Sequence, residues 1–161
     1  CTGSWRIGGM VLVEYVPLDD LRPYPGNPRK ISAKGLEKLK RSLQEFGFIN
    51  PIIAQRNTGM IIAGHQRYKA AKALGIKEVP VLWWDTDDET AKAYCIADNK
   101  LAEESEWDFT PLADLLSELD SGAFDITLTG FELPELREIA EYAPEPRERK
   151  TNICPNCGHE Y

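Results

Sequence analysis

Gly64, His65, Gln66 and Arg67 directly follow the apolar run Met60–Ala63 (MIIA). A buried strand that ends in glycine and turns at once into a helix leaves the first backbone N–H groups of that helix without intrahelical partners. Backed by the helix macrodipole, those groups favour an anion. Glycine lets the backbone approach a ligand closely. Arg67, one turn into the helix, can reach back with a planar guanidinium fork suited to phosphate. This pattern makes a phosphate site, although a glycine at such a corner also serves as an ordinary turn. His65 could act as a general acid or base, or donate from the helix start to a phosphate.

Two further groups of residues have chemistry of their own. Cys154, Cys157 and His159 lie in the run CPNCGH, whose C-P-x-C-G pattern lets a chain turn tightly round tetrahedral Zn2+. Three ligands leave that zinc knuckle incomplete, and a tail without metal is the alternative reading. Lys34, Lys38 and Arg41 recur at i, i+4 and i+7, and with Arg29 and Lys30 they make a basic face. Such a stripe either faces an anion or is simply solvated. The overall charge of −7 hides a segregation: residues 1–82 hold 13 Lys+Arg against 6 Asp+Glu, and residues 83–161 hold 6 against 20. A basic half can meet DNA or a nucleotide, whereas the acidic half argues against a chain that coats nucleic acid along its length.

The elements that must position these residues can be read from periodicity. Residues 1–9 show none and are expected to be a read-through or cloning leader. A β-branched strand over residues 11–17 ends at Pro17. Three prolines and a glycine in residues 21–28 make a loop. Ser32 is placed to cap a helix to Phe46, with Leu36, Leu39, Leu43 and Phe46 on one face and Gly47 ending it in a left-handed conformation. Residues 51–54 and 60–63 read as two buried strands joined by a polar turn. A helix follows from His65 to Leu74, closed by Gly75, and then a strand over residues 79–84. Thr86 and Glu89 form a capping box for a helix to Ala102. A further helix starts at Thr110-Pro111 with Leu112, Leu115, Leu116 and Leu119 inward, and Pro134–Tyr142 forms a last one. The expected organisation is an α/β (α+β) domain over residues 10–105, a small mixed sheet with packed helices. An acidic helical extension (106–142), a linker (143–150) and the zinc-knuckle tail (151–161) follow. No apolar run is long enough for a transmembrane helix. The cysteine usage does not suggest a disulfide framework, so a cytoplasmic location is expected.

The order of these motifs resembles the ParB-like superfamily, which includes chromosome-partition proteins, sulfiredoxins and a free-serine kinase. Asn27–Lys30 leading into the following helix, then residues 47–53 (GFINPII), resembles its first block. Residues 62–71 (IAGHQRYKAA) resemble the G-x-x-R-x-x-A signature, and Ile96–Lys100 (IADNK) resembles the E-N-x-x-R block, with Asp98 for Glu and Lys100 out of register with the Arg. The resemblance covers roughly residues 13–105 and implies the ParB/sulfiredoxin-like fold. It also implies that Gly64, His65, Gln66 and Arg67 contact the phosphates of CTP or ATP, and that Asp98 and Asn99 sit near Mg2+. The shorter Asp98 reaches less far than Glu, and polar helix surface is the alternative reading of Asp98-Asn99. Residues 97–108 and 128–131 (LTGF) resemble the branch found in phages and mobile elements, often joined to a DNA methyltransferase.

Departures from the family patterns narrow the function. His65 stands where sulfiredoxins carry their reactive Cys, which argues against peroxiredoxin repair. No (D/N)PP(Y/F) methyltransferase signature occurs. The partition proteins carry a helix-turn-helix after this domain, and residues 110–142 could supply two helices. With Arg137 the one basic residue there, that segment is ill suited to approach phosphates. DNA contact is expected instead from Arg29, Lys30, Lys34, Lys38 and Arg41. The expected function is therefore a nucleotide-binding, DNA-associated module, partnered with DNA, a methyltransferase or a phage protein and able to form a homodimer. The alternative is an enzyme of the same superfamily: a nuclease, a CTPase-like NTPase, or a nucleotide-dependent, serine-kinase-like phosphotransferase, for which Glu14 is the nearest candidate carboxylate and His65 a second catalytic candidate.

Overall fold

Residues rich in Val, Ile and Trp build four short strands: Val13–Pro17 (β1), Ile52–Gln55 (β2), Ile61–Ala63 (β3) and Glu78–Trp84 (β4). The computed structural model describes residues 12–142 apart from Ser121 and Ala123. The strands form one mixed sheet in the order β1-β4-β2-β3. β4 runs antiparallel to β1 and parallel to β2, and β2 pairs antiparallel with β3. The parallel pair needs a crossover. It is supplied by β3 followed by His65–Leu74 (α2).

Ile52 faces Val81 in register, and Ala54 faces Trp83. With Val79, Ile61, Tyr68 and Ala71 these residues form the core, joined by Leu18 and Leu21 from the segment after β1. Ile52, Val79 and Val81 have no exposed area, and burial of each such side chain is worth about 1.5–3 kcal/mol. The core therefore fixes β2 and β3, whose ends define the corner at Gly64.

Ser32 caps Ala33–Phe46 (α1) as expected, its Oγ accepting from the Gly35 N–H at 3.0 Å. α1 packs against α2. Gly47 closes α1 with a positive φ of 72°, but its ψ of −166° lies outside the left-handed helical basin. Of the expected apolar face only Leu43 is buried. Leu36 and Leu39 are half-buried, and Phe46 is 44% exposed because the last turn runs past the packed surface.

Asp88–Leu101 (α3) starts one residue later than the Thr86/Glu89 capping box predicts. Asp87 is the cap: Oδ1 accepts from the Thr90 N–H and Oδ2 from the Thr90 hydroxyl, each at 2.8 Å. A carboxylate suits the positive end of a helix better than a hydroxyl. These bonds to Thr90 hold the Asp87 carboxyl below its ordinary pKa.

The described residues up to Glu106, with Leu128–Gly130, form one unit; Trp107–Thr127 and the residues from Phe131 form a second. In the second, Phe109–Leu119 (α4) and Leu133–Ala140 (α5) bury Leu112, Ala113, Leu116 and Ile139. The sequence predicts Leu115 and Leu119 inward as well. They are 58% and 39% exposed, because two short helices meet along a seam too narrow to cover them. α5 ends two residues before the predicted Tyr142. It opens on a capping box of Glu132 and Glu135 rather than at Pro134. Among the described residues no helix is long and apolar enough to cross a membrane.

Candidate functional site

Gly64 is the N-cap of α2, with φ 94° and ψ 16° and no side-chain cap. The first turn of α2 carries no acidic residue. The first intrahelical bond runs from the Tyr68 N–H to the Gly64 carbonyl at 3.0 Å. The N–H groups of the preceding helical residues are therefore the ones that α2 leaves without an intrahelical acceptor. A Cβ at Gly64 would lie 3.3 Å from Ile52 Cα and 3.2 Å from Arg67 Nη2. The corner thus requires glycine for its backbone angle and for its clearance.

Arg67 folds back over this glycine. Its Nη2 donates to the Pro51 carbonyl at 3.2 Å, while Nε is buried with no acceptor among the described residues. Burial lowers the Arg67 pKa from its ordinary value, and the nearby Asp98 carboxylate works in the opposite direction. Gln66 donates from Nε2 to the Arg29 carbonyl at 3.3 Å, and its Oε1 is likewise buried and unpartnered. Buried polar atoms normally find partners, so two orphans in adjacent residues mark a place where an outside group would complete the bonding.

His65 is 6% exposed, and its Nε2 accepts from the Tyr24 N–H at 3.3 Å. An imidazole accepting at Nε2 carries its proton on Nδ1. Burial first, and the Lys69 charge second, push its pKa below 6.5, so the ring is neutral at pH 7. His65 thereby ties the proline-rich loop to the start of α2.

A cleft of about 180 Å³ opens at this corner. Gly64, His65, Gln66 and Arg67 line it, with Asp98 and Asn99 from α3, Leu39 from α1, and Asn27 and Arg29 from the loop. The predicted phosphate and magnesium residues are therefore together. Asn99 Nδ2 donates to the Cys95 carbonyl at 2.6 Å, and the Asn99 carbonyl accepts from Arg29 Nη1 at 3.1 Å. Arg29 also pairs with Glu103 at 3.7 Å; both side chains are about half-exposed, so the pair contributes little to stability. Cys95 is buried, and burial followed by the Asp98 charge raises its thiol pKa, which keeps it unreactive.

Arg29 is grouped by the sequence with the basic face, yet it lines this cleft. Asn27 and Leu39 also line the cleft, although the sequence marks Asn27 only as the start of the Asn27–Lys30 block and Leu39 only as part of the apolar face of α1. Asn27 Oδ1 accepts from the Arg29 N–H at 3.1 Å, the local turn that an Asn-Pro pair favours. Lys34, Lys38 and Arg41 lie on α1, where Lys38 Nζ donates to the Gly130 carbonyl at 2.7 Å. Lys30 is exposed in the loop before it.

Glu14 is not at the cleft. It sits on β1, three strand spacings or about 14 Å from β3, and accepts from the Trp83 indole at 3.2 Å. Among the described residues no three His, Cys, Asp or Glu side chains gather as a metal cluster. The predicted zinc ligands Cys154, Cys157 and His159 lie outside the described residues, as do residues 1–9 and the linker 143–150.

Comparison with known proteins agrees with this architecture. Residues 8–100 match the family model of the ParB N-terminal domain, and residues 111–152 match that of the ParB-methyltransferase HTH domain. A probable chromosome-partitioning protein ParB of Campylobacter jejuni is 36% identical over 87 residues, which are 52% of this chain and 31% of that protein. The ParB-like nuclease domain-containing protein YnaK of Escherichia coli is 40% identical over 70 residues, 44% of this chain and 79% of YnaK. The chain thus spans about a third of the partitioning protein's length. Among solved structures, the C-terminally truncated chromosome-partitioning protein ParB of Caulobacter crescentus, complexed with CTP-γ-S, superposes with a TM-score of 0.59 at 26% identity, covering 68% of this chain and 63% of that one.

Proposed function

Because the chain belongs to the ParB N-terminal domain family, we propose that it is a nucleotide-binding, DNA-associated module whose phosphate site is the Gly64–Arg67 corner. The observation that carries this reading is the buried, unpartnered donor Arg67 Nε, beside a glycine at which a Cβ would crowd Arg67 Nη2 and Ile52. A nucleoside triphosphate would supply a phosphate oxygen as the acceptor there, and its hydroxyl or amino groups would offer the donor that Gln66 Oε1 needs. Arg67 binds with its guanidinium, already positioned by the Pro51 carbonyl. The N–H groups of His65, Gln66 and Arg67 orient the anion along the axis of α2. Neutral His65 fixes the loop and brings Arg29 to the cleft.

CTP is the nucleotide favoured, since the Caulobacter relative was solved with CTP-γ-S; ATP is the second candidate. Asp98, with Asn99, would hold Mg2+, which needs only one or two protein carboxylates when phosphates share it. DNA, reached directly through Arg29, Lys30, Lys34, Lys38 and Arg41 or through a partner, is the proposed target. A methyltransferase or a phage protein is a proposed partner, in keeping with the second family match. Homodimer formation and zinc at Cys154, Cys157 and His159 complete the proposal. The phosphotransferase reading has less support, because Glu14 is held by Trp83 at the opposite edge of the sheet.

Calorimetry with CTP and with ATP, each with and without Mg2+, tests this function. CTP with Mg2+ is expected to bind, and Arg67→Ala to weaken it at least about tenfold, because one hydrogen bond to a charged group is worth about 1.5–3 kcal/mol. Failure of both nucleotides to bind, or binding untouched by Arg67→Ala, would refute the assignment. A preference for ATP would favour the phosphotransferase.

A further inference from the structure

The second unit matches a helix-turn-helix model but carries the wrong charge for DNA. Over the matched residues 111–152 there are ten Asp+Glu against four Lys+Arg, of which only Arg137 lies among the described residues. A helix reading DNA must approach a phosphate backbone, and this surface would be repelled by it.

The same unit holds an apolar groove between α4 and α5. Its cavity measures about 370 Å³, with Leu116, Ile126, Leu133 and Leu136 in the lining alongside Asp120 and Arg137. Leu133 is 59% exposed at this groove, an apolar side chain with most of its surface uncovered.

The charge around the groove has a direction. Asp120 is the C-cap of α4 and Glu141 the C-cap of α5. The last carbonyls of a helix are already its negative end, where a cation is favoured. α4 has no basic residue in its last turn, and α5 has Arg137 alone. Two helix ends therefore each place a carboxylate where a positive group belongs, and Asp120 lines the apolar groove itself.

We propose that the α4–α5 groove docks a cationic amphipathic helix of a partner protein, its apolar side chains entering beside Leu133 and its lysines or arginines meeting Asp120, Glu141 and the two helix C-termini. Apolar anchors at i, i+3 and i+4 are how an amphipathic helix fills such a groove. The complementary charges set orientation and speed association.

The test uses the full chain and a fluorescent helical peptide of leucine and lysine with its leucines on one face, followed by anisotropy. A leucine–glutamate peptide and a short DNA duplex serve as competitors. Leu133→Asp is the decisive variant, because it adds negative charge while removing the apolar anchor. Docking in the groove predicts about tenfold or greater weakening, whereas attraction to overall acidity predicts tighter binding. Asp120→Lys with Glu141→Lys is expected to weaken binding while raising thermal stability, since lysine suits a helix C-terminus. That opposite pair of effects cannot come from misfolding. The proposal is overturned if the peptide binds Leu133→Asp as tightly as the parent, or if the glutamate peptide competes equally. It is also overturned if the duplex displaces the peptide, or if Leu133→Asp dissolves a self-associated form that the peptide does not disturb.

Discussion

At His65, burial and a hydrogen bond act in the same direction. The ring accepts the Tyr24 N–H at Nε2, which only a neutral imidazole can do while donating from Nδ1. Burial pushes its pKa below 6.5, its ordinary value. The unfolded chain therefore takes up a proton before the folded one does, so stability is full above about pH 6.5 and falls as pH drops through the folded value. The melting temperature is expected to decline between pH 7 and pH 5.5, and less steeply in His65→Gln. Identical slopes for the two proteins would contradict the role given to His65. That Gly64 and Arg67 meet at a strand-to-helix corner was legible from residue type and spacing alone, because the glycine directly follows a buried strand and Arg67 lies one turn into the helix. The loop-holding role of His65 and the orphaned Gln66 Oε1 were not legible, since both depend on side-chain direction and on a loop forty residues away in sequence.

The β3–α2 corner is where one element sets the geometry of another. β3 is three residues long, entirely buried, and paired to β2, so Gly64 has little freedom to move. Gly64→Ala would place a methyl group 3.3 Å from the Ile52 backbone at φ 94°, a strain of about 1–2 kcal/mol from the backbone angle alone. Denaturant unfolding should show that loss, and CTP binding should fall with it. An Ala variant as stable as the parent would mean that the corner relaxes without cost. Helix and strand identities were legible from periodicity and from the glycines at residues 47, 64 and 75. Helix faces were less so. Phe46, Leu115 and Leu119 share the apolar spacing of their neighbours yet stay exposed, because spacing gives the direction of a stripe and not the width of the surface that meets it. The cap of α3 moved to Asp87 for a similar reason. Thr86 and Asp87 are both N-cap residue types, and the carboxylate, which takes two bonds from Thr90, prevails.

Across the whole molecule the described residues fall into two units, and the charge segregation read from the sequence follows that division only in part, because eight of the twenty carboxylates of residues 83–161 lie in the first unit. The basic groups cluster on α1 and its preceding loop, and the acidic groups dominate α4 and α5. The mixed α/β class was legible because strands and helices alternate with clear breaks. The sheet order was not: β4 inserts between β1 and β2, and no local signal names its neighbours. That insertion carries Glu14 to the far edge of the sheet. It leaves the cleft to residues from α1, α2, α3 and the proline-rich loop. The central claim is that these residues form a phosphate site, and backbone amide shifts recorded while CTP and Mg2+ are titrated into the full chain test it most directly. The account predicts the largest shifts at His65, Gln66 and Arg67, with smaller ones at Arg29 and Asp98. Shifts concentrated elsewhere, with the amides of residues 65–67 unmoved, would contradict it.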